Sequence, residues 1–314
     1  MKKKLVAGAV TLLSVVTLAA CANGTNKDIV TMKGDTITVS DFYDEIKTNQ
    51  GAQQVLFQMT INKVFEKEYG SKVSDKEVDK ELAKQKKQLG NQFDAYLAQQ
   101  GLTEETAKKQ IRSNMLLEYA VSQAAKKDIK ESDYKTAFES YTPEVTAQII
   151  KLNSEDKAKE VLEAAKAEGA DFAQIAKDNS TDTATKDKGG EVKFDSGTAD
   201  IPSQVKEAAF KLDENGISDV ITVSAGQNYS ASYYIVKLNK KTEKGSDWKK
   251  YEKRLKEIIV DGRKQDTNYI RSIIAKAMTN ANIKVKDDAF KSTFNQYLQN
   301  IGVETSDSSS SSKK

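Results

Sequence analysis

Val145-Thr146-Ala147-Gln148-Ile149-Ile150-Lys151-Leu152 reads as a β-strand, and Tyr233-Tyr234-Ile235-Val236-Lys237-Leu238 reads as another further along the chain. Both runs are short and rich in β-branched and aromatic residues. Between them Ala158, Val161, Leu162 and Ala165 share one helix face, and Phe172, Ile175 and Ala176 begin a second. The chain's 2 prolines, Pro143 and Pro202, fall just before the first strand and in a loop of this stretch. The predicted order is strand, helix, helix, loop, helix, strand, which makes a small mixed module.

Working outward, the texture changes on both sides. From Asp41 to about Ser140 apolar residues recur at helical spacing: Phe42 and Ile46; Val55, Leu56 and Met59; Leu82; Phe93 and Leu97; Ile111, Met115 and Tyr119. These predict amphipathic helices with charged outer sides, read either as sharing a core that leaves an apolar groove for unfolded segments or as placing every apolar residue in the core. Ser74-Asp75-Lys76-Glu77 fits a capping box, and Thr103 precedes an acidic first turn. A second helical block runs from about Asp247 to Ala281 through Trp248, Leu255, Ile258, Ile270 and Ile274. A short helix with Phe290, Phe294, Tyr297 and Leu298 follows it. Upstream, Ile29 to Met32 and Thr36 to Val39 flank the turn Lys33-Gly34-Asp35 as two brief strands, and Ser40 is expected to cap the first helix. The fold class is α+β, with a helical domain formed by the N- and C-terminal segments and the mixed module inserted between them.

The single cysteine, Cys21, closes Leu18-Ala19-Ala20-Cys21 after Lys2, Lys3, Lys4 and a weakly polar to apolar run. That is the layout of a lipoprotein signal peptide over residues 1–20. The run is short for a span of about 20 apolar residues, and polar residues follow at once. Cleavage before Cys21 and lipidation of its sulfur would place several acyl chains at the new terminus, enough for stable anchoring at the extracytoplasmic face of the cell membrane. Losing the signal removes three of 49 basic residues and none of 46 acidic ones, so the mature body is formally neutral. No phosphate-tracking surface and no nucleic-acid partner are expected. With no histidine and its one thiol taken by lipid, the chain offers no ordinary metal site. It has no phosphate-cradling glycine motif, and no cofactor is expected. Residues 21–28 form a tether, and residues 306–314 are a serine-rich tail expected to be disordered.

Several pieces of the central stretch resemble a parvulin peptidyl-prolyl isomerase domain, and they come in parvulin order. They are Val145 to Leu152, Ala158 to Leu162, Gly169-Ala170-Asp171-Phe172-Ala173, Asn179-Ser180-Thr181-Asp182, Gly189-Gly190-Glu191, Glu207-Ala208-Ala209-Phe210 and Gly216-Ile217-Ser218-Asp219. With the cysteine motif and the helical flanks, the chain resembles the PrsA-type foldase lipoproteins of Gram-positive bacteria, the streptococcal members above all. The resemblance implies a parvulin-like domain over 143–241. It also implies a chaperone-like helical domain made of 29–142 and 242–305, the second segment packing on the first. It further implies unfolded or folding secreted proteins as partners, and prolyl cis–trans isomerisation.

The resemblance also implies where the isomerase site lies. Family members carry histidines on the first and last strands with a cysteine or aspartate between them; here Gln148, Tyr234 and Asp182 stand at those positions. The proline pocket falls on Val192, Ile201, Val205 and Phe210. The reaction turns an X-Pro amide over a barrier of roughly 18–20 kcal/mol without making or breaking a covalent bond. It needs a dry apolar cup and groups that favour the twisted amide over the planar one. Gln148, Asp182 and Tyr234 are read either as a hydrogen-bonded cluster facing that cup or as ordinary strand and loop residues. The functional alternatives are a holdase with an inactive parvulin domain and a solute-binding lipoprotein. Ser154 and Lys157 match the spacing of acyl enzymes, but a helix start without companion motifs reads as a cap.

Overall fold

A computed structural model describes residues 27–225 and 230–298. The signal peptide, Cys21 with most of the tether, and the serine-rich tail lie outside the described residues. The chain forms two compact units, one of residues 71–273 and one made from the two ends, up to Gly70 and from Ile274.

The terminal unit opens with an antiparallel hairpin, β1 (Asp28–Met32) and β2 (Asp35–Thr38), turned at Gly34 with φ +88°. α1 (Val39–Ile46) is capped by Thr38, two residues before the expected Ser40. The reason is reciprocity: the Asp41 amide donates to Thr38 Oγ1 at 3.2 Å and the Thr38 amide donates back to Asp41 Oδ2 at 2.8 Å. Tyr43, three residues after Ser40, has no carboxylate to return such a bond. α2 (Gln50–Tyr69) follows, capped by Asn49, and buries Phe57, Ile61, Val64 and Phe65 along one stripe.

The larger unit begins with α3 (Asp75–Leu89), whose Ser74–Glu77 capping box is as read, then α4 (Phe93–Gln99), α5 (Glu104–Lys127), capped by Thr103, and α6 (Glu131–Ser140). Its mixed module holds β3 (Val145–Leu152), α7 (Glu155–Lys166), α8 (Phe172–Asn179), β4 (Glu191–Phe194), α9 (Ser203–Lys211), β5 (Ile221–Ala225) and β6 (Ser230–Lys240). Ser154 caps α7, its Oγ accepting from the Lys157 amide. β4 and β5 are additions to the order read from sequence. They are edge strands of 4 and 5 residues, too short for a period to stand out.

The sheet order is β4-β3-β6-β5, antiparallel throughout, so it has none of the repeated βαβ units of a solute binder. β3 and the middle of β6 are covered on both faces, which is why they read as apolar runs instead of alternating ones. Val145, Ala147, Ile149, Val236 and Leu238 pack with Val205 and Ala209 of α9 on one face. Ile150, Leu152 and Ile235 pack with α7 and α8 on the other.

α10 (Glu252–Gln265) closes the larger unit against α5 and α6. Arg263 reaches Asp133 at 2.8 Å and the Ala125 carbonyl at 2.9 Å, and Trp248 stacks on Tyr134. Asp266 breaks the helical block and caps α11 (Thr267–Asn280) by accepting from the Asn268 and Tyr269 amides. Tyr269 in turn donates to Asp128; burial first, then that carboxylate, pushes its phenol up to about 12. The terminal unit is completed by α12 (Lys291–Leu298), whose Phe294 and Tyr297 meet Phe57 with ring centroids 5.4 and 4.4 Å apart.

The α+β plan, helical segments with a mixed module inserted between them, is as read. Within the larger unit α3 to α6 and α10 lie with the module, and an ion pair joins α10 to it: Arg254 grips Asp195, just after β4, with two bonds of 2.6 and 2.8 Å. Tyr141 donates to the same carboxylate at 3.1 Å.

Candidate functional site

Two sites emerge, one in each unit. In the parvulin-like module, Val192 of β4, Ile201, Phe210 of α9, Ile221 and Val223 of β5, and Tyr234 of β6 are half-buried around the fully buried Val205 and Ala209. Phe210 is tilted against Phe194 with ring centroids 5.8 Å apart. All four pocket residues read from the sequence thus come together on the α9 face, and Tyr234 joins them. A ring of half-covered apolar side chains over a closed floor is the environment a prolyl ring needs.

The three polar positions behave differently. β3 and β6 pair with Ile149 opposite Val236 and Gln148 opposite Lys237. Residues directly opposite each other share a face, and neighbours along a strand alternate. Tyr234 therefore lies on the face of Ile149 and Val236, while Gln148 lies on the opposite face with Ile150 and Leu152. Gln148 donates through Nε2 to the Gly189 carbonyl at 3.0 Å. The sheet separates Gln148 from Tyr234; of the two readings, one cluster or ordinary strand and loop residues, this placement fits the second for Gln148. Ile149, a single position along, is the β3 residue that backs the cup.

Asp182 is occupied by its own loop. Its carboxylate accepts from Thr185 Oγ1 at 2.5 Å and from the Ala184 amide at 3.2 Å, holding the turn after α8. The Tyr234 hydroxyl has no hydrogen-bond partner among the described residues. Its ring lies under the Lys151 ammonium, 5.9 Å from the centroid.

The second site is an apolar groove of about 710 Å³ in the terminal unit. α1 contributes Tyr43 and Ile46, α2 contributes Val55, Leu56 and Met59, and the C-terminal segment contributes Phe290 and Phe294. Its far wall is held in place by side chains: Tyr43 donates to Asp287 at 2.7 Å, and Gln53 donates to the Ala289 carbonyl at 3.0 Å. The bond to Asp287 raises the Tyr43 pKa, with partial burial adding to it. Val55 and Met59 are 60 % and 51 % exposed. Of the two readings of these helices, every apolar residue in a core or a core that leaves an apolar groove, these two residues fit the second, and sequence reasoning did not single them out. A signal was present: α2 carries two apolar stripes, Phe57-Ile61-Val64-Phe65 and Ala52-Val55-Leu56-Met59, where burial on one side needs only one.

Comparison with known proteins places this geometry. The family model of the rotamase domain, PPIC-type PPIASE, matches residues 141–240, within two residues of the limits read from the sequence. The chain is 62% identical over 302 residues to the foldase protein PrsA of Streptococcus sanguinis, covering 96% of this chain and 90% of that one. It is 60% identical over 315 residues to the PrsA of Streptococcus gordonii, covering 100% of both. The crystal structure of the Streptococcus pneumoniae PrsA superposes with a TM-score of 0.81 at 55% identity, covering 86% of this chain and 99% of that one. Identity at this level across whole relatives leaves one conclusion: the chain belongs to the PrsA foldase family.

Proposed function

We propose that this chain is an extracytoplasmic foldase, held at the membrane through lipidated Cys21, that binds apolar stretches of exported chains in the terminal groove and offers prolines to the parvulin-like cup. The observation that carries the reading is the groove: large apolar side chains on α2 stay open to solvent beside a wall fixed by Tyr43 and Gln53. Exposed contiguous apolar surface of this kind marks a binding site. Among the described residues no helix is long and apolar enough to cross a membrane, and the anchor rests on the sequence around Cys21 alone. No cofactor enters the scheme.

The test pairs an aggregation assay on an unfolded secreted client with a protease-coupled assay on a proline peptide, using the same full-length mature protein. V55D/M59D is expected to weaken client capture by roughly tenfold, because each charge must be desolvated by an apolar client. Both positions are exposed, so stability should move by less than about 0.5 kcal/mol per site. F210A is expected to slow isomerisation while leaving capture intact. Unchanged capture by V55D/M59D would move the client site elsewhere. A second reading, holdase action alone, is favoured by one observation: Gln148 lies across the sheet from Tyr234 and Asp182 is committed to its loop. Isomerisation no faster than in buffer, with capture intact, would select it.

A further inference from the structure

The β1–β2 hairpin wears its apolar face outward. Its register sets Val30 opposite Ile37 and Met32 opposite Asp35, so Val30, Met32 and Ile37 share one face, with Asp35 at its turn end. Thr31, Thr36 and Thr38 lie on the other face, where Thr36 and Thr38 are half-covered and Thr31 is exposed. Val30, Met32 and Ile37 are 47, 51 and 40 % exposed, and Ile29, at the irregularity in the register, is exposed as well. A two-stranded ribbon lying on its own protein ordinarily turns its valines and isoleucines inward and its threonines to water. The inversion calls for something apolar outside the chain.

The length of chain outside the structure says what that is. On the anchored reading proposed above, which this inference rests on, only Ala22 to Lys27 separate the lipidated sulfur from β1. Even fully extended at about 3.3–3.6 Å per residue, that tether keeps the start of the hairpin within about 25 Å of the sulfur. The acyl chains on that sulfur lie in the bilayer, so the apolar face is held permanently beside the membrane interface. Charge around the hairpin is balanced, Lys27 and Lys33 against Asp28 and Asp35, which leaves apolar contact as the attraction. We propose that the Val30-Met32-Ile37 face is a membrane-docking surface, resting on the lipid interface and seating the protein there beside its anchor. Apolar side chains at the headgroup boundary add to the lipid anchor in the way a second signal does.

The test uses the full mature lipoprotein in vesicles of phosphatidylglycerol and phosphatidylethanolamine. A nitrobenzoxadiazole label is placed on Val30→Cys or, as the control on the half-covered side, on Thr36→Cys. With quencher attached to the lipid acyl chains, the label at 30 should be blue-shifted and quenched several-fold more than the label at 36. The contrast should persist in high salt, since it does not depend on screened charges. Equal quenching at the two positions would overturn the proposal. So would shielding of the label at 30 produced without lipid by an unfolded client peptide, or by raising the protein concentration, which would make the face a client or self-association surface. The mass of the Cys21 thioether and flotation with vesicles report on the anchor separately. If the thioether is absent, the contrast between labels measured with vesicles in excess still decides the hairpin.

Discussion

Gly190→Ala is expected to destabilise the larger unit by more than about 3 kcal/mol, mixing backbone strain with a steric clash. Gly190 has φ +78°, and a Cβ built there would stand 2.5 Å from the Ile149 carbonyl oxygen and 3.0 Å from its amide nitrogen. Both obstacles are backbone atoms of β3, and the Ile149 amide itself donates to the Gly190 carbonyl at 2.8 Å. Relief therefore requires β3 to move, and β3 carries the residue that backs the cup. Gly34→Ala is the control: its φ is +88° but nothing lies within 4 Å of the added carbon. Its cost should be only that of the left-handed conformation, about 1–2 kcal/mol. Denaturant unfolding of the two variants separates clash from conformation. Equal losses at both sites would show that β3 yields easily.

Arg254→Ala is expected to cost about 2–4 kcal/mol at neutral pH. That is toward the lower part of the range for stripping one partner from a buried pair, since Arg254 is a third exposed while the Asp195 side chain is 8% exposed. Burial alone would raise the Asp195 carboxyl, but Arg254 outweighs it together with bonds from Thr198 and Tyr141, and the pKa is held below the ordinary 3.8. A depressed carboxylate stabilises the fold above its unfolded pKa and ceases to do so as pH falls through the folded one. Wild-type stability should therefore decline below about pH 4, in part through Asp195. In the variant, burial is left without its main counterweight, so the carboxyl takes up a proton more readily. The gap between the two proteins should be widest near neutrality and narrow in acid. Unfolding free energies at pH 7 and pH 3 check this, and a gap that is constant with pH would remove Asp195 from the account. Lys at position 254 should rescue only partly, because a point charge cannot reproduce two parallel bonds.

The module was legible because its signals are local. β3 and β6 are short runs rich in β-branched and aromatic residues, Ser74, Thr103 and Ser154 each cap a helix with atoms three residues away, and Gly189-Gly190 announces a backbone that other residues resist. β4 and β5 escaped notice because strands of 4 and 5 residues at a sheet edge leave too little pattern. Thr38 in place of Ser40 at the first helix start turned on which residue had a carboxylate three positions on. The resemblance placed the proline pocket on Val192, Ile201, Val205 and Phe210, and these four do pack on one cluster on the α9 side of the sheet. The face of Gln148 was not legible because neighbouring strand positions point to opposite faces, and only the pairing of β3 with β6 sets which face is which.

By itself, the sequence determined the order of the main strands and helices, the caps at Ser74, Thr103 and Ser154, and the family, since each depends on residues near one another in the chain or on their order along it. Only the tertiary structure decided which side of the sheet each polar candidate occupies, because pairing between β3 and β6 sets that register. Only it decided that Val55 and Met59 stay uncovered, because the wall that makes them a groove is supplied by Phe290 and Phe294 from the far end of the chain. Burial is a property of what arrives opposite a residue, and no period along α2 encodes an arrival.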